Sequence, residues 1–185
     1  MEINVVDLGD SYFVKLGMQL RALNQPVIDM TPGKDGVQRM VSEIMKIAKP
    51  ASITVLRIYA HGNSGVINVA GGEYDASADL SAISVRNYPK IENILRSLNT
   101  YFKRPARVEL VGCLVALDSN KQVTKNSDGE NLITNLANLW QVDVLASGNP
   151  NELPIAGLKF VGLVVKASPG GGLSATAPTE ISRVR

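Results

Sequence analysis

The chain has 185 residues, 45% hydrophobic and 19% charged, which suits one globular domain with a full core and excludes general disorder. Nineteen Lys and Arg against seventeen Asp and Glu give a formal charge of +2, too mild to point to nucleic acid, so no specific nucleic-acid partner is expected. With one Cys (Cys113) and one His (His61), an internal disulfide is excluded and no metal site is expected, so thiol or imidazole chemistry falls to this pair.

Residues 2–8 (EINVVDL) are short, β-branched and apolar, and read as a strand. The stretch 9–34 carries no assigned period and reads as a loop. A helix is predicted over 35–48, where Val37, Met40, Val41, Ile44, Met45 and Ala48 form one stripe and Pro50 ends it. Strands follow at 53–60 (ITVLRIYA) and, shorter, at 65–70 (GVINVA). A second helix spans 89–102 on the stripe Ile91, Ile94, Leu95, Leu98 and Phe102. The strand 107–112 (RVELVG) precedes a third helix, opened by the S-x-x-E capping box of Ser127 to Glu130. That helix buries Leu132, Ile133, Leu136, Ala137 and Trp140. Strands at 142–147 and 158–166 close the pattern, and the Gly/Ser/Thr-rich stretch 167–185 reads as a flexible tail.

Strands alternating with helices imply parallel pairing through right-handed crossovers. The expected fold is therefore a three-layer α/β/α sandwich with a mostly parallel central sheet, one domain over 1–166. No stretch is long and apolar enough for a membrane span, so no membrane partner is expected. The start MEIN lacks the basic, apolar build of a secretory signal. The expected location is the cytoplasm, or outside it by a route that needs no Sec-type signal.

The glycines of HGNSGVINVAGG fit neither a dinucleotide fingerprint nor a P-loop, and read as a hairpin. Glu73, Asp75 and Asp79 read as a solvated acidic loop. Between 86 and 107, Arg86, Lys90, Arg96, Lys103, Arg104 and Arg107 face one carboxylate, Glu92. This is either a solvated helix face or a polyanion site.

Catalytic groups in open α/β sheets gather beyond the carboxyl ends of strands. His61 directly follows the strand 53–60 and Cys113 directly follows 107–112, at a separation of 52 positions. If those strands are parallel neighbours, imidazole and thiol share one edge. A thiol with a pKa near 8.5 is mostly protonated at neutral pH, so an adjacent imidazole serves first as base, then as acid. The N–H groups of Gly62 and Cys113 together suit an oxyanion hole. Each residue alone also suits a bland role, a small buried hydrophobe for Cys113 and a loop residue for His61.

The blocks ITVLRIYAHG and VELVGC resemble the two motif blocks of clan CD cysteine peptidases, the caspase-like enzymes. They are most similar to the bacterial self-processing domains of large toxins and surface proteins. The resemblance runs over about residues 50–150 and implies a caspase-like fold, with His61 as general acid/base and Cys113 as nucleophile. Gly62 and Cys113 would donate the oxyanion hydrogen bonds, and peptide or protein would be the substrate. Val111 stands where caspases carry Gln and metacaspase-like enzymes carry Asp. Its apolar side chain, with Ser147, implies an apolar or small residue before the cleaved bond. The similar toxin domains take an inositol phosphate in a basic cleft, which makes Lys103, Arg104 and Arg107 candidate polyanion ligands. No other cofactor is implied. The alternative is a catalytically silent caspase-like module that binds or targets within a bacterial assembly.

Overall fold

A computed structural model describes residues 1–71, 80–116, 129–148 and 163–176. Its main sheet has seven strands. β1 (Glu2–Asp7) pairs in parallel with β2 (Val27–Met30) on one side and with β3 (Ile53–Tyr59) on the other. β7 (Phe102–Val111) and β8 (Asp143–Ser147) continue the parallel series. β9 (Val164–Ala167) and β10 (Leu173–Thr176) then add an antiparallel hairpin, giving the spatial order β10-β9-β8-β7-β3-β1-β2. The chain is thus mixed α/β with a mostly parallel sheet.

Between β3 and β7 lies a small second sheet. Its strands β4 (Gly62–Asn63), β5 (Val66–Asn68) and β6 (Ala82–Ser84) are all antiparallel. This is the excursion predicted at 65–70, enlarged by a strand on either side.

Successive residues of a strand point to opposite faces, and each face has its own cover. Val5, Ile58, Leu110 and Val144 lie in one large apolar cluster with α2 (Gly36–Ile47), α3 (Tyr88–Arg96) and α4 (Gly129–Trp140). Trp140 anchors that layer, fully buried, with its indole Nε1 donating to the Leu95 carbonyl at 2.8 Å. Their immediate neighbours Val6, Tyr59, Val111 and Leu145 fall in a second, smaller cluster with α1 (Ser11–Ala22). Two helical layers on one sheet make the three-layer sandwich.

Three expectations need correction. Residues 9–34 are not a loop, since they hold α1 and β2. Phe13, Leu16, Gly17 and Leu20 of α1 are buried, yet Val14, Met18 and the following Leu23 are exposed. Apolar residues on both faces blur the helical period. The helix predicted over 89–102 stops at Arg96. A 3-10 turn at Asn99–Tyr101 follows, and Phe102 already belongs to β7. The stretch from 167 closes β9 and contributes β10, because the unpaired edge of β9 accepts another strand. Residues 177–185 lie outside the described residues, as do 158–162 and the Ser127 and Asp128 of the predicted capping box.

Candidate functional site

β1 leads through α1 to β2 on one side, and the chain then returns as β3 on the other side of β1. This reversal makes the carboxyl ends of β1 and β3 a topological switch point, where parallel sheets leave a crevice. Three strand exits meet around it. β1 ends in Asp7 and runs through Gly9 to Asp10, β3 runs into His61, and β7 runs into Cys113.

The register of β3 against β7 fixes the level of the last two. Arg57 pairs with Glu109, Ile58 with Leu110 and Tyr59 with Val111. The Ala60 N–H donates to the Val111 carbonyl at 3.3 Å, so the ladder continues to the exits. His61 and Cys113 each lie two positions further on, level with one another on neighbouring strands. The two exits touch backbone to backbone. A Cβ on Gly112 would stand 2.8 Å from the Ala60 carbonyl oxygen. On Gly62 it would stand 2.6 Å from Val115 Cγ2 and 2.8 Å from the Cys113 carbonyl oxygen. The His-Gly and Gly-Cys pairs therefore need glycine for packing, whatever else the glycines do.

Asp10 has two tasks. It is the N-cap of α1, with its Oδ1 accepting the Tyr12 N–H at 2.6 Å. Its Oδ2 lies 3.2 Å from His61 Nε2. The Tyr12 N–H first, and the imidazole second, hold the Asp10 carboxyl below its ordinary pKa. The edge of the Phe13 ring packs against the face of His61, or the reverse, with centroids 5.1 Å apart at 84°. A cap residue and an aromatic on one helical turn thus set where the imidazole sits. The His61 and Asp10 side chains are 36% and 39% exposed, open enough for a substrate to reach.

Two further groups titrate nearby. Burial pushes the Asp7 carboxyl up, although the N–H groups of Gly9 and Gly71 and the charge of His61 pull it down. Burial also pushes the half-buried Cys113 thiol up. The resting nucleophile is therefore a thiol rather than a thiolate, and its activation falls to a base.

The other expected site residues are placed differently. Val111 is fully buried in the α1-side core, and Ser147 is fully buried at the end of β8. Neither offers a substrate any surface, because the strand alternation that aligned Cys113 also turned these side chains into the interior. The Ser147 carbonyl accepts the Ala116 N–H at 3.0 Å, which ties the segment after Cys113 to β8. Lys103 and Arg104 are exposed at the amino end of β7, the far edge of the sheet from Cys113. Arg107 donates from Nε to Glu109 Oε1 at 2.6 Å and is neutralised there. The three cations do not converge beside the crevice. Glu73, Asp75 and Asp79 lie outside the described residues. Among the described residues no three His, Cys, Asp or Glu side chains cluster as metal ligands, and no helix is long and apolar enough to cross a membrane.

Asp7, Asp10 and a buried charge network below the site were not anticipated from the sequence. Arg57, fully buried, donates from Nε to Glu109 Oε2 and from Nη1 to Glu2 Oε2, both at 2.7 Å. The signal was present. Arg57 interrupts an apolar strand four residues before His61, and Glu109 interrupts another four residues before Cys113. A buried pair of opposite charges at equal distance from the two exits specifies their register.

The family model described as a domain of unknown function (DUF4347) matches residues 14–151, from inside α1 to just beyond β8. No curated protein matches the chain.

Proposed function

Because the chain belongs to the DUF4347 family, whose description assigns no activity, its own residues must supply the reading, and we propose that it is a caspase-like cysteine peptidase domain of clan CD. One observation carries this. The β3–β7 register sets His61 level with Cys113 at the switch-point crevice, with Asp10 against the imidazole.

In this reading the Cys113 sulfur attacks the carbonyl carbon of a peptide bond while His61 takes the thiol proton. The N–H groups of Gly62 and Cys113 receive the developing oxyanion. The C–N bond breaks, the amine leaves with the proton from His61, and a thioester remains on Cys113. Water, deprotonated by His61, then releases the acid and restores the thiol. Asp10 holds the ring and offsets its positive charge when protonated. Only protein groups and water take part. The substrate is a peptide or protein segment, cut after an apolar or small residue.

The test uses a peptidyl acyloxymethyl ketone, which traps an activated thiol. Labelling is expected at Cys113, slower by about 10²–10⁴ in His61→Ala, the usual contribution of general acid–base groups. Equal labelling in that variant, or none in the wild type, sinks the peptidase. A second reading, a silent module for binding or targeting, draws on the burial of Val111 and Ser147 and on the upward shift of the thiol. It expects a folded protein whose Cys113 reacts only as alkaline pH ionises the thiol, with or without His61.

A further inference from the structure

We propose that the groove between α2 and α3 docks an acidic, amphipathic helical segment of a partner protein. The groove has a volume of about 710 Å³. Val41, Met45 and Ile94 give it an apolar floor, and Tyr101 lines its far end. Met45 is 38% exposed, although the rest of the α2 stripe is buried. An apolar floor between two helices receives a third helix through side chains spaced i, i+3 or i+4, and i+7.

Charge selects the occupant. Lys46 is the charged residue of the lining, which otherwise holds amides and hydroxyls, with no carboxylate among the described residues. Over 36–49 and 88–101, Arg39, Lys46, Lys49, Lys90 and Arg96 outnumber Glu43 and Glu92. Those two carboxylates are already ion-paired, Glu43 with Lys46 and Glu92 with Arg96. The positive excess around an apolar floor favours Asp- and Glu-bearing partners and disfavours basic ones.

Position keeps the groove apart from the crevice. The chain passes from the end of α2 to the start of β3, and from α3 through the 3-10 turn to the start of β7. Met45 and Tyr101 therefore lie toward the amino ends of those strands, at the opposite edge from His61 and Cys113. A docked helix leaves the crevice open, and the proposal stands whether or not Cys113 is active.

The experiment is fluorescence anisotropy of the full chain with a labelled synthetic helix of about five turns, Leu on one face and Glu on the other. A second peptide carries Lys in place of Glu. The acidic peptide is expected to bind in about the micromolar range and the basic one at least tenfold more weakly. Met45→Glu and Ile94→Glu should each weaken binding about tenfold or more, and Lys46→Glu should weaken it and flatten its salt dependence. Met45 and Lys46 are exposed, so their variants keep the fold and should leave Cys113 labelling unchanged. Equal binding of both peptides, or binding unaltered by Met45→Glu, overturns the proposal. So does self-association of the chain that Met45→Glu abolishes, because the groove would then pair two copies.

Discussion

The two faces of the sheet are built on different principles. On one, α2, α3 and α4 cover an almost wholly apolar surface, stabilised by area and close packing. On the other, α1 covers a smaller apolar cluster, and beyond it the strands bury Glu2, Arg57 and Glu109 in a charge network. The three-helix face holds the sheet together. The α1 face decides which residues of neighbouring strands stand opposite each other, and His61 reaches Asp10 and Phe13 on that side. Apolar packing tolerates exchange of one hydrophobe for another, whereas a buried guanidinium with two fixed carboxylates does not tolerate a slip.

That contrast is open to attack on both faces, and the largest effects are expected from the core. Trp140→Ala empties the centre of the three-helix face and should cost about 3–5 kcal/mol in urea unfolding. Arg57→Ala leaves Glu109 charged and buried and should cost a similar 3–5 kcal/mol. The two differ in rescue. Glu109→Gln added to Arg57→Ala should restore part of the loss, because it removes the uncompensated charge, whereas no charge change rescues Trp140→Ala. An additive double variant would show that the network does not act as a unit.

Smaller effects belong to the strand exits. Gly112→Ala drives a methyl into the Ala60 carbonyl, which is backbone and yields little, and should cost about 1–3 kcal/mol. Gly62→Ala meets the Val115 side chain as well as backbone, so a similar loss is expected, with partial recovery in Gly62→Ala combined with Val115→Ala. Thermal denaturation of the two series compares them directly.

The smallest effects are those of the carboxylates at the crevice, and they are read best against pH. Asp7 has its pKa raised in the folded chain, so the native state holds its proton more tightly than the unfolded chain. Its contribution to stability is fully present below the ordinary value of 3.8 and is lost as pH rises through the raised native value. Wild-type Tm should therefore fall relative to Asp7→Asn as pH increases from about 4 toward neutrality, and a constant gap would contradict this. Asp10 behaves in the opposite sense. Its lowered pKa gives stability above 3.8 that disappears as pH falls through the native value. Asp10→Ser keeps an oxygen to cap α1 but cannot reach His61. It should therefore leave Tm nearly unchanged while slowing Cys113 labelling by up to about 10². If Asp10→Ser labels at the wild-type rate, Asp10 serves α1 alone.

Much of the fold was legible in the sequence where one physical signal dominated. The stripe of α2 appears in the structure within a residue at either end. The strands of β3 and β8 read correctly because β-branched runs of five to seven residues suit a sheet covered on both faces. The site was legible only in part. His61 and Cys113 stood out because each is the sole residue of its type and follows a buried strand. Asp10 did not stand out, because its role depends on α1 being a helix, and the exposed Val14 and Met18 hide that helix from any test of amphipathicity. Val111 and Ser147 were placed beside a substrate by proximity to Cys113 in the chain, yet the pleat turns both into the core.

By itself the sequence determined the class of fold, the alternation of strands and helices, and the pair of residues to which thiol and imidazole chemistry is confined. These follow from local period and from composition, which need no knowledge of distant neighbours. Tertiary structure alone decided which strands are adjacent, in what register, and which carboxylates surround His61. Those features arise from pairing across 52 residues and from the docking of α1 on β1, whose energies come from contacts that no local window contains.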